Sequence, residues 1–262
     1  MIMKDKGLLI LVSNDDGYLA PGVRALMEML SGYGEVVAVC PDGPRSAQSM
    51  AITVNAPLRV NPVNDYHGPG RLYKVNGTPV DCIKLGIEAV VPRIPDLVVS
   101  GINHGSNSAV NVVYSGTMGA VFEGCAFGIP SIGFSLTSHS MDADFEPCRP
   151  FVGRVVEMVI EHGLPEGMCL NVNVPTSVRP PREMRLVRAC RGKWTDEYDR
   201  YVDPSGHEFF WLKGEFLNAE PDAEDTDEWC LKHGIVSVVP TLLDRTAPAA
   251  LLPTWMKSLN EG

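Results

Sequence analysis

The chain has 262 residues, 45% of them hydrophobic, with 22 Lys+Arg against 32 Asp+Glu and a net charge of -10. A chain of this length buries on the order of three quarters of its extended surface, which excludes global disorder and a small stapled scaffold. The acidic balance argues against binding nucleic-acid polymers, which is driven by Lys and Arg neutralising phosphates, and a small anionic substrate would need a local positive device such as a metal.

Leu8-Leu9-Ile10-Leu11-Val12 is a continuous apolar run closed by Ser13-Asn14-Asp15-Asp16-Gly17, the pattern of a strand buried on both faces. Pro21-Gly22 opens a helix with Val23, Leu26, Met27 and Leu30 on one face, stopped near Gly32-Tyr33-Gly34. A second run, Val36 to Cys40, ends at Pro41-Asp42-Gly43. Thr78, Pro79 and Asp81 read as N-cap, first-turn proline and third-position acid of a helix carrying Val80, Ile83 and Ile87. Leu97-Val98-Val99 then leads into the loop Ser100-Gly101-Ile102-Asn103, and Met118, Val121, Phe122 and Cys125 repeat helical spacing. Pro130 to Phe134 is another short strand, and a longer helix is expected over Arg149 to His162. Apolar runs alternating with amphipathic helices are βαβ units, so the first 170 residues predict an α/β fold, a mostly parallel sheet with helices on both faces.

The last third reads differently. Leu170 to Val174, Met184 to Val187 and Ile235 to Val239 look like strands, and a Pro-rich tail follows. Between them, Arg191 to Gly214 carries Trp194, Tyr198, Tyr201, Phe209, Phe210 and Trp211, and Glu215 to Glu228 holds seven acids and no base. Aromatic hairpins and arms of this kind pack on a neighbouring subunit or lie as solvated loops. No linker divides the chain. The expectation is one domain over 1–262, with a core over 1–170 and a hairpin and arm region over 171–262.

No stretch reaches the ~18 uninterrupted apolar residues of a membrane helix, and no cleavage-site pattern precedes the first strand. The seven cysteines (Cys40, Cys82, Cys125, Cys148, Cys169, Cys190 and Cys230) are odd in number and contain no C-x-x-C pair. That suits buried reduced thiols better than disulfides or zinc, and a soluble cytoplasmic protein without a membrane partner is expected.

In an open parallel sheet, ligands bind beyond the carboxyl ends of the strands. Asn14-Asp15-Asp16-Gly17 occupies such an end. Two adjacent carboxylates there repel phosphate but suit a hard divalent cation, although an Asp-Asp-Gly turn also forms for conformational reasons alone. Pro41 to Ala47 offers the Ser46 hydroxyl as a ligand and the Arg45 guanidinium for a phosphate, or is a plain Pro-Asp-Gly turn. Ser100 to Asn107 offers closely spaced glycines with Asn103 and Asn107 as oxygen ligands or amide donors. Tyr114-Ser115-Gly116-Thr117-Met118 lies before a predicted helix, where free backbone N–H groups and two hydroxyls cradle phosphate or simply cap the helix. The histidines lack metal-binding spacing, and His104, which neighbours a site loop, reads equally as a surface residue. No G-x-S-x-G elbow supports a serine hydrolase.

These residues together resemble the SurE family, the stationary-phase survival nucleotidases. The likeness rests on Val12 to Gly17 with Ala20-Pro21-Gly22, Arg45-Ser46, Asn76 to Cys82, Ser100 to Asn103, Tyr114 to Ala120, Asp225 to Asp227 and Gly234 to Ser237. It runs from about residue 8 to residue 245. The resemblance implies a Rossmann-like enzyme hydrolysing nucleoside 5′- and 3′-monophosphates with one divalent metal per subunit, Mg²⁺ or Mn²⁺. Carried over, Asp15, Asp16, Ser46 and Asn103 are the metal ligands, and Asn107, Ser115, Gly116 and Thr117 contact phosphate. It also implies a homodimer or homotetramer that exchanges C-terminal arms. Pro44 departs from the family, which commonly has Asn before the Arg-Ser pair.

The mechanism so implied has the metal activating water, with Asp15 orienting or deprotonating it and Asp15 and Asp16 as catalytic residues; Arg45 helps to neutralise phosphate. An aspartyl-phosphate route, a polyphosphatase and a non-catalytic nucleotide sensor stand as alternatives. A nicotinamide oxidoreductase lacks its glycine fingerprint after the first strand.

Overall fold

The structure, a computed structural model, describes residues 7–140, 142–177 and 180–248. In chain order its first half holds β1 (Leu8–Ser13), α1 (Pro21–Leu30), β2 (Gly34–Pro41), β3 (Val60–Pro62), β4 (Arg71–Val75), α2 (Pro79–Leu85), β5 (Leu97–His104), α3 (Asn111–Tyr114) and α4 (Gly116–Ala126). There follow β6 (Ser131–Leu136), α5 (Arg149–His162), β7 (Met168–Val174), β8 (Met184–Leu186), β9 (Gly192–Thr195), β10 (Tyr198–Val202), β11 (Glu208–Leu212), β12 (Glu215–Asn218), α6 (Asp227–Lys232) and β13 (Val236–Leu242).

Nine strands form one sheet in the order β3-β4-β2-β1-β5-β6-β7-β13-β8. From β4 to β7 every neighbour is parallel, whereas β3 and β13 join antiparallel to β4 and β7. The two-residue period of a strand divides the core between the faces. Ile10 and Val12 pack with Val23, Leu26 and Met27 of α1 and with Val152 and Val156 of α5. Leu9 and Leu11 face the other way, onto Cys82 and Ile83 of α2 and Ala120 of α4. Helices therefore cover both faces, and the core strands read as unbroken apolar runs because neither face meets water.

Local chemistry sets the element ends. Thr78 Oγ1 accepts from Asp81 N at 3.1 Å, and Asp81 Oδ2 accepts from Thr78 N at 2.9 Å, a reciprocal cap with Pro79 at the first helical position. The same carboxylate holds Thr53 through its backbone and its hydroxyl, which anchors the long connection between β2 and β3. All seven cysteines are buried free thiols.

One boundary differs from the sequence reading. The segment Ser100 to Asn103, expected as a loop, continues β5 to His104, with a register shift between Ser100 and Asn103. Gly101 has φ 128, and a Cβ there would stand 2.2 Å from Phe134 O. Only glycine fits this bulge, which re-aims the strand end so that Asn103 meets the carboxyl end of β1.

The aromatic region forms two hairpins outside the main sheet, β10 with β11 and β9 with β12. Tyr198, Tyr201, Phe209, Phe210 and Trp211 of the first hairpin are all exposed, Tyr198 to 65% and Trp211 to 68%. The Pro-rich tail beyond residue 248 lies outside the described residues.

Candidate active site

A cavity of about 330 Å³ opens at the carboxyl ends of β1 and β5, where an open parallel sheet binds its ligands. Its walls include Asp15, Asp16, Ser46, Asn103, Asn107 and Ser115, so six of the nine residues singled out in the sequence converge there. None of the residues that line it is Lys or Arg. A larger groove, about 680 Å³, lies at the opposite ends of the same strands. Its lining is mostly apolar, and its acid, Asp96, is taken by Arg93 and by Leu9 N, so it offers no convergent reactive set.

Asp15 is 5% exposed and is clasped by the start of α4. Thr117 Oγ1 donates to its Oδ1 at 2.5 Å, and the Thr117 backbone N–H also donates to the carboxylate. Gly116 permits this approach, since a Cβ on it would lie 2.8 Å from Asp15 Cβ and 3.0 Å from Oδ2. Burial pushes the Asp15 carboxyl up to about 6; the Thr117 hydrogen bonds oppose that rise, and the charge of Asp16 adds to it. The backbone carbonyl of Asp15 accepts from Arg45 N at 2.7 Å, which pins the Ser46 loop against β1.

Asp16 Oδ2 lies 3.2 Å from both the backbone N and the ring Nδ1 of His104. His104 is therefore no surface residue: its side chain is 9% exposed and stands edge-on to Phe145, with centroids 5.1 Å apart. Asn103 Nδ2 donates to Gly105 O at 2.8 Å, leaving Oδ1 on the Thr117 side, 3.3 Å from its hydroxyl.

Asn107 is held by a polar cluster that the sequence reading did not single out. Its backbone N donates to Asn173 Oδ1, its carbonyl accepts from Asn171 Nδ2 and its own Nδ2 donates to Ser135, each at 2.8 Å. The alternate residues Asn171 and Asn173 sit in a strand of the sheet interior, and buried amides there require such partners. Asp227 supplies a second brace. It accepts from Ala109 N and from Cys190 N, each at 2.8 Å, and so ties the site loop to the segment that leads into β9. Neighbouring Glu228 accepts from Ser108.

Three of the expected residues already have partners of their own. Ser115 Oγ accepts from Met118 N at 3.0 Å as the cap of α4, while facing the cavity. Thr117 is fully buried with its hydroxyl hydrogen on Asp15. Arg45 turns away to Asp42 at 3.0 Å and is not part of the cavity wall. The wall also includes Asn111, Tyr114, His139 and Trp194, none of which the sequence reading took as site residues.

The donor set fits a hard divalent cation. Asp15, Asp16, Asn103 and Ser46 would offer only oxygen, and two neighbouring carboxylates share a cavity whose wall has no Lys or Arg. Among the described residues no cluster of three or more His, Cys, Asp and Glu side chains is placed to hold a metal. A cation here would complete its shell with neutral oxygens, water and substrate, as Mg²⁺ commonly does.

The family model for the survival protein SurE matches residues 10–196. A protein of Phocaeicola vulgatus named 5′-nucleotidase SurE is 52% identical over 245 residues, covering 94% of this chain and 95% of its own length. One of the same name from Bacteroides thetaiotaomicron is 46% identical over 245 residues, with 94% of each chain covered. The crystal structure of the SurE protein from Aquifex aeolicus superposes with a TM-score of 0.82 at 34% identity, covering 97% of this chain and all of that one. The fold, the order of the motifs and these likenesses agree, and the chain belongs to the SurE family.

Proposed function

We propose that this protein is a divalent-metal-dependent phosphomonoesterase that hydrolyses nucleoside 5′-monophosphates, and 3′-monophosphates, to nucleoside and phosphate. The observation that carries the reading is the Asp15–Asp16 pair in a cavity whose wall has no Lys or Arg, beside the N-terminus of α4. The name of the relatives, 5′-nucleotidase SurE, supports the substrate class.

Asp15, Asp16, Asn103 and Ser46 would hold Mg²⁺ or Mn²⁺. The cation supplies a Lewis acid and offsets negative charge on the phosphoryl group. Asp15, fixed by Thr117, orients the attacking water and takes its proton, while His104 fixes the Asp16 carboxylate. The Ser115 oxygen already accepts from Met118 N, so its hydrogen is free to donate to a phosphoryl oxygen. Asn107 Nδ2 has a second hydrogen for the same use, and the first amide of α4, Gly116 N–H, adds a helix N-terminus. Water oxygen bonds to phosphorus as the ester bond breaks, and the leaving alkoxide ends protonated as the nucleoside hydroxyl.

A homodimer or homotetramer belongs to the same reading, supported by the exposed aromatic hairpin β10–β11. So does a cytoplasmic setting: no helix among the described residues is long and apolar enough to cross a membrane.

Phosphate release from a panel of 5′- and 3′-nucleoside monophosphates, measured after EDTA treatment and again with added Mn²⁺ or Mg²⁺, tests the reading. Release that EDTA stops and metal restores is the expected result. Nucleotide binding without release makes the protein a sensor, and release from polyphosphate alone makes it a polyphosphatase; either result sinks the proposal.

A further inference from the structure

The cavity wall combines two kinds of side chain: Asp15, Asp16, Asn103 and Ser46 are polar, and Tyr114, His139 and Trp194 bring aromatic rings. Tyr114 and His139 sit on exposed segments of the core, whereas Trp194 reaches the cavity from β9 in the hairpin region.

Trp194 is the ring held in place. Its Nε1 donates to Asn111 Oδ1 at 2.9 Å, which bonds the hairpin to the segment just before α4. Its ring meets Phe216, its cross-strand partner, edge-on with centroids 6.0 Å apart. It also lies against Gly214, where a Cβ would stand 3.2 Å from Cε3. A tryptophan kept only for packing would be enclosed. This one is half-buried and part of the wall of the cavity that holds the paired aspartates. An aromatic face fixed before the ligand arrives loses little conformational freedom on binding.

We propose that Trp194 is the stacking surface for the base of the nucleotide: the heteroaromatic ring lies on the indole while the phosphate sits by the paired aspartates. The inference rests on the nucleotidase reading above and deepens it. A cavity of about 330 Å³ stands at the low end of small-molecule sites, which run from ~300 to ~1,000 Å³, and so suits a mononucleotide. Every base has a π-face, so stacking tolerates all of them. Trp194 therefore selects nucleotides over phosphate esters without an aromatic ring, rather than one base over another.

The test uses the full chain supplied with Mn²⁺, as wild type, Trp194→Ala and Trp194→Phe. KM and kcat are measured for AMP, together with the inhibition constant of ribose 5-phosphate, which carries the same ester and no base. Trp194→Ala raises KM for AMP about tenfold, within the range for loss of a base–aromatic stack. Both kcat and the ribose 5-phosphate constant stay within about twofold, the signature of lost uniform binding. Trp194→Phe, which keeps a ring and loses the N–H, recovers most of the affinity.

An unchanged KM in Trp194→Ala overturns the proposal. So does a parallel rise in the ribose 5-phosphate constant, which is what structural damage produces. Equal losses in both variants assign the effect to the Asn111 hydrogen bond and overturn it as well. If wild type releases no phosphate from AMP, the nucleotidase reading fails on its own account, and calorimetric titration of AMP into the same three proteins decides the role of Trp194. Weaker binding by the Ala variant alone then sustains it; equal binding, or none to wild type, ends it.

Discussion

Asp16→Asn lowers metal-supported phosphate release by about 10³-fold or more, because a ligand charge worth several kcal/mol to the transition state is gone. The effect separates from folding. Asp16 follows the end of β1 with its side chain 20% exposed, and its carboxylate meets the backbone N–H and ring of His104. An amide oxygen can accept from the same backbone N–H, so circular dichroism and the unfolding midpoint stay close to wild type. The charge is what the substitution removes: in the proposed site Asp15 alone would then face the cation and the phosphate. Activity within about tenfold of wild type at saturating metal contradicts this account, since a loss that small is below what ligand charge supplies.

Thr117→Val is the second large effect, and it acts through Asp15. The hydroxyl hydrogen of Thr117 rests on Asp15 Oδ1, and both groups are buried. A hydrogen bond to a charged group is worth about 1.5–3 kcal/mol, so kcat falls roughly 10- to 100-fold if the bond holds Asp15 in its working orientation. KM for the nucleotide changes little, because in the proposed mechanism Asp15 acts on water rather than on the base or ribose. Thr117→Ser, which restores the hydroxyl, recovers most of the rate. Wild-type kcat in Thr117→Val, or a Ser variant as slow as the Val variant, shows that Thr117 does not act through Asp15.

The parts of this fold that could be read from the sequence are those where local chemistry and burial agree. Leu8 to Val12 has one environment on both faces, so its composition alone declares a central strand. The helix over Arg149 to His162 and the cap at Thr78 lie where spacing and capping chemistry put them. The strand Arg71–Val75 carries no sequence signature, because it lies next to the sheet edge and mixes Arg, Tyr and Lys with Leu and Val, so no period stands out. Ser100 to Asn103 read as a loop because its glycine and polar residues are those of a loop; they serve a bulge that only the neighbouring strand defines.

The site divides the same way. Asp15, Asp16, Ser46, Asn103, Asn107 and Ser115 stood out because polar residues after apolar runs are visible in one dimension. His104, Asn171 and Asn173 act through partners far away in the chain, and no local pattern marks them: Asn107 meets Asn173 across 66 positions. Trp194 belongs to an aromatic stretch whose other members are exposed. Only the turn of β9 back toward Asn111 distinguishes it. The Arg45 guanidinium, expected at the phosphate, pairs with Asp42 because the loop geometry offers that carboxylate three residues away.

The central claim is that Asp15, Asp16, Asn103 and Ser46 form one divalent-cation site. Calorimetric titration of Mn²⁺ into the EDTA-treated, dialysed full chain, beside Asp16→Asn and Asn103→Ala, measures it without depending on turnover. The account predicts saturation at one ion per chain for wild type and affinity lower by about tenfold or more in each variant. Equal affinity in all three proteins, or no binding to wild type with or without nucleoside monophosphate, contradicts it.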